Sequence, residues 1–175
     1  MNLQPSHLQA DTLKLLPLEN QDFEALFLVA SDPLLWEQHP AKDRYKKEVF
    51  TELFAGAMAS KSAFKIIDSH TGLLAGSSRY YDFNAEKSQI AIGYTFIARQ
   101  YWATDFNRKL KEIMLNYAFE HVNTVLFHVG ETNFRSQKAV QKLGAIKIGE
   151  VATGNKISFE YSLSKNDWQP IYLNQ

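Results

Sequence analysis

The sequence predicts a mixed α/β domain in which helices flank a single mixed β-sheet. Helical periodicity dominates the first quarter of the chain, and strand-like alternation follows over residues 63–97. A strand, a helix and a second strand then run in order through residues 89–129. Because a crossover helix joins neighbouring parallel strands, this last pattern adds a parallel pair to an otherwise antiparallel sheet.

Length and composition indicate one folded domain over residues 1–175, with a core spanning about residues 12–168. A chain of this length buries close to about 70% of its unfolded surface. The 19 Lys and Arg residues balance the 19 Asp and Glu residues, so no overall field favours nucleic acid or an acidic membrane as a partner. Cysteine is absent, which excludes disulfides, thiolate metal sites and cysteine nucleophiles. Without a signal-peptide pattern or a membrane-spanning apolar run, we expect a cytoplasmic protein.

One strand and two helices are expected first. The strand covers residues 12–16 and ends at Pro17. Asn20 is expected to cap the first helix and Asp43 the second, because both side chains accept hydrogen bonds from free helix amides. The apolar stripe of the first helix comprises Phe23, Leu26, Phe27 and Ala30. That of the second comprises Phe50, Leu53, Phe54, Ala57 and Met58.

An antiparallel meander follows, with strands at residues 63–68, 74–83 and 89–97. Turn-forming residues at positions 70–72 and 84–87 separate these strands. The last strand alternates in polarity, so one of its faces is expected to be apolar. That face comprises Ile90, Ile92, Tyr94 and Phe96.

The rest of the chain alternates helices and strands. An amphipathic helix is marked by Leu110, Ile113, Met114, Tyr117 and Ala118. A buried strand at residues 125–129 precedes a helix that Asn133 opens and Gly144 ends. A closing hairpin then comprises residues 145–149, a turn at 153–155, and residues 157–163.

Residues 100–107 join a strand to the amino terminus of a helix, which suits a phosphate or pyrophosphate. The free amides at a helix start point at such a ligand, and the helix dipole favours its negative charge. Three cations near this loop add positive charge: Arg99, Arg108 and Lys109. The alternative is an ordinary loop in which Thr104 or Asp105 caps the helix.

Five motifs between Ile92 and Ala145, taken in order, resemble the Gcn5-related N-acetyltransferase (GNAT) family. The motifs are Ile92-Gly93-Tyr94, Tyr101-Trp102, Phe106-Asn107, Asn133-Phe134-Arg135-Ser136 and Lys142-Leu143-Gly144-Ala145. The sequence is most similar to the branch that includes the ribosomal-protein alanine acetyltransferases. The resemblance extends over residues 12–168, with the elements in the family's order.

The resemblance implies a splayed mixed sheet with acetyl-CoA in a V between strands that end near Phe96 and Val129. It places Phe96 and Ile97 beside the pantetheine arm, which bonds to the strand much as an added strand would. It assigns the pyrophosphate to Ala103, Thr104, Asp105, Phe106, Asn107 and Arg108. It places Asn133 and Arg135 on the far side of the cofactor.

The phosphate loop departs from the family pattern at two positions. After Gln100 the family has small residues where this chain has Ala103 and Asp105. Glycine admits a close approach of a phosphate, and a carboxylate at that place repels it. We therefore expect Asp105→Gly to tighten CoA binding.

Two catalytic roles follow from the resemblance, because a neutral amine attacks the thioester in this family. Related enzymes often carry a glutamate base where this chain has Ala91. Three other residues are candidates for the base: Glu37, His39 and Asp82. The alternative is that each of them is a surface or packing residue. Many relatives use a tyrosine acid where this chain has Val140.

The Asn-x-x-Ser branch instead offers a serine hydroxyl to the CoA sulfur. Here that residue is Ser136, and the alternative is a small residue packed in the first turn of a helix capped by Asn133. The five histidines, at positions 7, 39, 70, 121 and 128, show no metal-ligand spacing. We therefore expect no metal.

The sequence thus predicts an N-acetyltransferase that moves an acetyl group from acetyl-CoA to a primary amine. The acceptor is a small molecule or a protein amino terminus, and its pocket is expected from residues 36–45 and 80–83. A homodimer is an open expectation, and neither nucleic acid nor a membrane is expected as a partner. The alternative is a non-catalytic sensor or interaction module. Four departures from the family pattern favour it: Ala91, Ala103, Asp105 and Val140.

Overall fold

The chain forms a mixed β-sheet with helices against both faces in the computed structural model, which describes residues 1–6, 8–154 and 156–168. Within these residues the strands are β1 Leu8–Ala10, β2 Leu13–Pro17, β3 Ala63–Asp68, β4 Leu74–Asn84, β5 Gln89–Ile97, β6 Thr124–Gly130, β7 Ile146–Thr153 and β8 Lys156–Ser164. The α-helices are α1 Phe23–Ala30, α2 Lys47–Ser60, α3 Phe106–Phe119 and α4 Phe134–Gln141. The predicted mixed α/β class is confirmed.

The sheet has the strand order β1-β2-β3-β4-β5-β6-β8-β7. Neighbouring strands run antiparallel except β5 and β6, which are parallel, as the crossover through α3 predicts. Their register pairs only the first three residues of each strand: Gln89 with Thr124, Ile90 with Val125, and Ala91 with Leu126. Beyond these pairs the two strands diverge, so the sheet opens at their carboxyl ends.

Two apolar cores lie on opposite faces of the sheet. The larger core packs α3 on the sheet through residues four apart: Leu110, Met114 and Ala118, each fully buried. The smaller core is rich in aromatic residues and holds α1 and α2. Its central side chains include Trp36, Phe50, Phe54 and Phe96. The sheet is therefore covered on both sides, and the opening between β5 and β6 lies between the two cores.

A β-bulge in β5 changes which face its last residues occupy. Residues 77–79 of β4 span the same length as residues 93–96 of β5, and Tyr94 has φ 52. The extra residue sends Phe96 into the smaller core and Ile97 into the larger one. Tyr94 is 42% exposed. The predicted single apolar face is therefore wrong for Tyr94 and Phe96, because the extra residue of the bulge interrupts the alternation of side chains between the two faces of β5.

The starts of the first two helices also differ from the prediction. Asn20 caps nothing: residues Asn20–Asp22 form a 3₁₀ turn, and the Glu19 amide donates to Asp22 Oδ2 at 2.8 Å. The second helix begins at Lys47 and has no side-chain cap, because Asp43 lies in a turn before it. Such turns compete with the helix start that a cap residue predicts.

The carboxyl-terminal elements follow the prediction more closely. Asn133 caps α4, since its Oδ1 accepts a hydrogen bond from the Ser136 amide at 3.2 Å. Gly144 ends the helical region with φ 96. The predicted hairpin forms from β7 and β8, although Asn155 of its turn lies outside the described residues. Strand β1 has no counterpart in the prediction.

Gly76 permits a close approach of the β4 and β5 backbones beside the bulge. A Cβ atom at this position would overlap the Phe96 carbonyl oxygen and lie 2.9 Å from Ile97 Cα. Gly56, in contrast, is exposed on α2, and a Cβ there would meet nothing within 4 Å. The two glycines therefore differ in the steric cost of one added methyl group.

Replacing Gly76 by alanine is expected to lower the free energy of unfolding by about 1–3 kcal/mol, because the methyl group fits only if β4 and β5 separate. The matched Gly56→Ala change is expected to raise it by up to about 1 kcal/mol, since alanine favours an exposed helix interior. Urea unfolding of both variants beside the wild type measures the difference. Wild-type stability of Gly76→Ala would contradict the close approach.

Candidate active site

A cleft of about 490 Å³ opens where β5 and β6 diverge. Its walls are the end of β5 with the loop after it, the first turns of α3, the end of β6, and α4. The connection between α1 and α2 closes it on the opposite face of the sheet. The volume lies in the range of small-molecule and cofactor sites.

The amino terminus of α3 faces this cleft with free backbone donors. The Thr104 hydroxyl accepts a hydrogen bond from the Phe106 amide at 3.2 Å and donates to the Tyr101 carbonyl at 2.7 Å. No acceptor in the described part of the chain pairs with the amides of Asn107 and Arg108. Thr104 thus shapes the helix start, as the ordinary-loop alternative predicts, and two amides remain available to an anion.

Positive charge dominates the cleft wall. Among the described residues that line the cleft, six are Lys or Arg and none is Asp or Glu. The six are Arg44, Arg108, Lys111, Arg135, Lys138 and Lys142. Cations around a concave site raise the local concentration of anionic ligands. The neutral net charge of the chain conceals this local field.

Most of the residues that the sequence assigned to the cofactor or to catalysis line this one cleft. They are Phe96, Ile97, Ala103, Thr104, Asn107, Arg108, Asn133, Arg135 and Ser136. Asp105 and Phe106 do not belong to the lining. Phe106 is buried and its ring stacks on Tyr101 with centroids 4.2 Å apart.

The Asp105 carboxylate is engaged away from the cleft. Its Oδ2 lies 2.9 Å from Lys109 Nζ, one helical turn along α3. The hydrogen bond from Lys109 lowers the pKa of this carboxyl group. The repulsion expected from the sequence is therefore offset by a neighbouring cation.

Arg135 connects two walls of the cleft. Its guanidinium carbon lies 3.5 Å from the centre of the Trp102 ring, so the start of α4 contacts the loop after β5. The Arg135 amide donates to Gln38 Oε1 at 3.1 Å. Three segments that are distant in sequence are thereby joined around the opening.

Lys111 is a cleft residue that the sequence analysis did not select. It is 6% exposed, and its Nζ donates to Thr95 Oγ1 at 2.6 Å. Burial lowers its pKa to about 7. No carboxylate in the described part of the chain forms an ion pair with it. A lysine on a helix is usually solvated, so the residue type carried no signal of this position.

Three side chains from separate strands form a hydrogen-bonded chain beside the cleft. The Tyr81 hydroxyl lies 2.7 Å from His128 Nδ1, and His128 Nε2 lies 2.9 Å from Glu160 Oε2. Burial raises the pKa of Tyr81, which keeps the phenol protonated and able to donate to Nδ1. A Cβ at Gly93 would lie 2.8 Å from the Tyr81 ring, so glycine leaves room for this arrangement.

Of the three base candidates from the sequence, only His39 lines the cleft. Burial and the nearby Arg44 charge lower the pKa of His39 to about 4, so its ring is neutral at pH 7 and a weak base. Glu37 and Asp82 are exposed and lie outside the lining. Sequence reasoning did not select His128, because its partners Tyr81 and Glu160 are far away along the chain.

The expected acceptor wall is formed in part. Within residues 36–45, the cleft is lined by Trp36, Gln38, His39 and Arg44. None of residues 80–83 lines it, and Tyr80 is fully buried in the larger core. Pro40 packs against Gly130, with its Cδ 2.7 Å from the place of an added Cβ, which fixes this connection to the end of β6.

Other kinds of site are not seen in the described residues. No helix there is both long enough and apolar enough to cross a bilayer. No group of three or more His, Cys, Asp or Glu side chains is placed to hold a metal ion in the same part of the chain.

Solved structures with the same architecture are GNAT proteins. A GCN5-related N-acetyltransferase from Brucella melitensis superposes with a TM-score of 0.84 at 16% identity, covering 96% of this chain and 82% of that one. A probable GNAT-family acetyltransferase from Chromobacterium violaceum has a TM-score of 0.82 at 18% identity, covering 93% and 88%. At these identities the likeness shows the fold.

A third structure contains ligands. The spermidine N-acetyltransferase of Vibrio cholerae, in complex with CoA and spermine, has a TM-score of 0.70 at 15% identity, covering 90% of this chain and 98% of that one. No curated protein matches the sequence significantly.

The family model described as "Acetyltransferase (GNAT) domain" matches residues 12–146, which is well over half of the chain. This match includes the loop after β5, the α3 amino terminus and α4. The chain therefore belongs to the GNAT acetyltransferases, a family of acyltransferase enzymes.

Proposed function

We propose that this chain is an N-acetyltransferase that uses acetyl-CoA and a primary amine. The observation that supports this most is a cleft at the diverging β5 and β6 strands with six Lys or Arg side chains and no carboxylate among its described lining residues. CoA carries a pyrophosphate and a further phosphate, so such a wall suits it. The acceptor is a small-molecule amine or a protein amino terminus.

The residues present fit the cofactor. The free amides of Asn107 and Arg108 would hold the pyrophosphate at the start of α3. Beyond Ala91 the β6-facing edge of β5 has no strand partner in the described residues, so the backbone at Phe96 and Ile97 is open to the amides of the pantetheine arm. When bound, acetyl-CoA supplies an acetyl thioester that accepts the amine nitrogen with loss of the CoA thiol.

His128 is the proposed acceptor of the amine proton. In the resting arrangement its Nε2–H donates to Glu160, and Nδ1 accepts from the Tyr81 hydroxyl. Because the Tyr81 hydroxyl occupies Nδ1, the proton moves by relay: Tyr81 passes its hydroxyl proton to Nδ1 while its oxygen takes the proton from the amine, and the Glu160 carboxylate stabilises the charged ring. Each partner of the imidazolium is therefore already in place.

Ser136 is the proposed donor to the departing sulfur. It lines the cleft at the start of α4, and no partner of its hydroxyl is found in the described part of the chain. Asn133 binds the Ser136 amide and so orients the residue. This Asn-x-x-Ser arrangement also supports a place in the branch of the ribosomal-protein alanine acetyltransferases.

CoA is expected to raise the melting temperature. At about a hundred times its Kd it should stabilise the fold by roughly 2.7 kcal/mol. Arg108→Gln should weaken CoA binding, whereas Lys147→Gln, which removes a charge outside the cleft, should not.

Asp105→Gly should tighten CoA binding, because it removes a carboxylate and frees Lys109. Thermal-shift titrations measure these effects, and the absence of a shift at millimolar CoA would favour the non-catalytic alternative.

Ser136→Ala is expected to lower kcat by on the order of a hundredfold, because a general acid contributes roughly that much or more. CoA binding and the melting temperature should stay near wild-type values, since the removed hydroxyl has no described partner. Steady-state kinetics with a thiol-release assay give the comparison. Wild-type turnover in this variant would remove Ser136 from the mechanism.

His128→Ala is expected to lower kcat/KM by on the order of a hundredfold. Imidazole added to the buffer should restore part of the rate, which a purely structural role of His128 would not produce. Glu160→Gln should give a smaller loss, because it weakens the orientation of the ring. His70→Gln is a matched control, since His70 is exposed outside the cleft. Unchanged kinetics of His128→Ala would exclude this proton route.

A further inference from the structure

The cations of the cleft are divided unequally between its two sides. Five of the six Lys and Arg residues belong to α3, to α4 or to the residue that follows α4. They are Arg108, Lys111, Arg135, Lys138 and Lys142. This is the side assigned above to the cofactor. Arg44 belongs to the connection between α1 and α2, on the opposite face of the sheet. It is therefore placed to meet the acceptor.

Arg44 is held in position by two aromatic neighbours. Its Nη1 lies 3.2 Å from His39 Nε2, and the His39 ring is itself held by the Ala41 amide, which donates to Nδ1 at 2.9 Å. Its guanidinium carbon lies 5.6 Å from the centre of the Trp36 ring, within cation–π range. Trp36 is itself buried and its indole donates to the Ala30 carbonyl at 2.8 Å. The guanidinium is thus oriented by rigid groups.

Arg44 has no counter-ion in the described part of the chain, where no carboxylate oxygen lies within 4.0 Å of its nitrogens. Asp43 and Glu37 are exposed, and the Glu160 carboxylate is bound to His128. Partial burial lowers the pKa of Arg44, as expected of a desolvated cation. A partly buried guanidinium is normally paired, so this one has unused capacity for an anion.

A second buried cation strengthens the positive field on this side. The Arg79 guanidinium carbon lies 3.4 Å from the centre of the Tyr94 ring, and Tyr94 lines the cleft. Arg79 is only 9% exposed, and its Nε has no hydrogen-bond partner among the described residues. Its Nη1 donates to the Gly56 carbonyl, not to a carboxylate. No acidic group of the cleft lining balances these charges in the described chain.

We infer that the acceptor is a primary amine that also carries an anionic group, a carboxylate in the simplest case, and that Arg44 binds this group. Two free N–H donors of a guanidinium match a carboxylate in geometry and charge. A polyamine would meet Arg44 and Arg79 with no carboxylate to offset the repulsion. The inference rests on the proposed acetyl transfer and specifies its substrate class.

The test compares matched acceptors that differ only in the anionic group. With the purified chain and acetyl-CoA, β-alanine, 4-aminobutanoate and an Ala-Asp dipeptide are each assayed beside the corresponding amide, and spermidine is the polycation arm. We expect kcat/KM at least about tenfold higher for one or more carboxylates than for their amides, as one charge-assisted hydrogen bond provides. A preference for the amides or for spermidine would overturn the inference. A preference confined to the dipeptide would indicate a peptide source of the carboxylate.

Arg44→Gln and Arg44→Lys locate the effect. Arg44→Gln should raise KM for the carboxylate by about tenfold or more and leave KM for the amide unchanged. Arg44→Lys should raise KM for the carboxylate by a smaller factor. Arg108→Gln, on the cofactor side, should raise KM for acetyl-CoA and keep the preference for carboxylates. The assignment would be contradicted if Arg44→Gln lowered kcat/KM equally for the carboxylate and for the amide. It would also be contradicted if Arg44→Gln weakened CoA binding and Arg108→Gln did not.

A binding experiment separates this inference from the acetyl-transfer proposal. Calorimetric titration of the CoA complex with each carboxylate and amide measures recognition without turnover. Carboxylate-dependent binding that Arg44→Gln removes supports the inference even if kcat is low, and its absence overturns the inference. Failure of the acetyl-transfer proposal has a different signature, since CoA itself would then produce no thermal shift.

Discussion

The short pairing between β5 and β6 is the constraint on which the site depends. Parallel strands normally continue their ladder, but here only three residue pairs form before the strands diverge. The divergence leaves the β5 backbone open at Phe96 and Ile97 and makes room for a cleft of about 490 Å³. The aromatic packing of Phe96 on Trp36, with ring centroids 5.3 Å apart, supports this edge from the other face of the sheet. The exposed edge is thus packed against the smaller core on its other face.

The β5 bulge and its neighbouring glycines arrange side chains around this opening. The extra residue at Tyr94 turns its ring toward the cleft, and Phe96 and Ile97 anchor the strand in opposite cores. Gly93 leaves the space in which Tyr81 reaches His128 across β5. A distortion in one strand therefore creates both an open edge and a route between two strands that are not adjacent.

The cations of the cleft lie on two sides of it. Five cations and the free amides of α3 lie on one side, where a polyphosphate would be neutralised. On the other side Arg44 and Arg79 lie among aromatic rings without acidic partners in the described chain. His128, which is hydrogen-bonded to Tyr81 and Glu160, lines the same cleft. The arrangement accounts for a chain with no net charge that still presents a strongly positive site.

The sequence by itself determined the features that depend on neighbouring residues. These are the apolar stripes of the helices, the order of strand, helix and strand through residues 89–129, the Asn133 cap and the loop that leads into the helix start at residues 100–107. The tertiary structure decided the bulge at Tyr94, the burial of Lys111, the lack of a carboxylate partner for Arg44 among the described residues and the contact of His128 with Tyr81. The physical reason is that periodicity and capping are properties of a local segment. Register, burial and charge pairing depend on which distant segments meet, and residue type alone does not specify them.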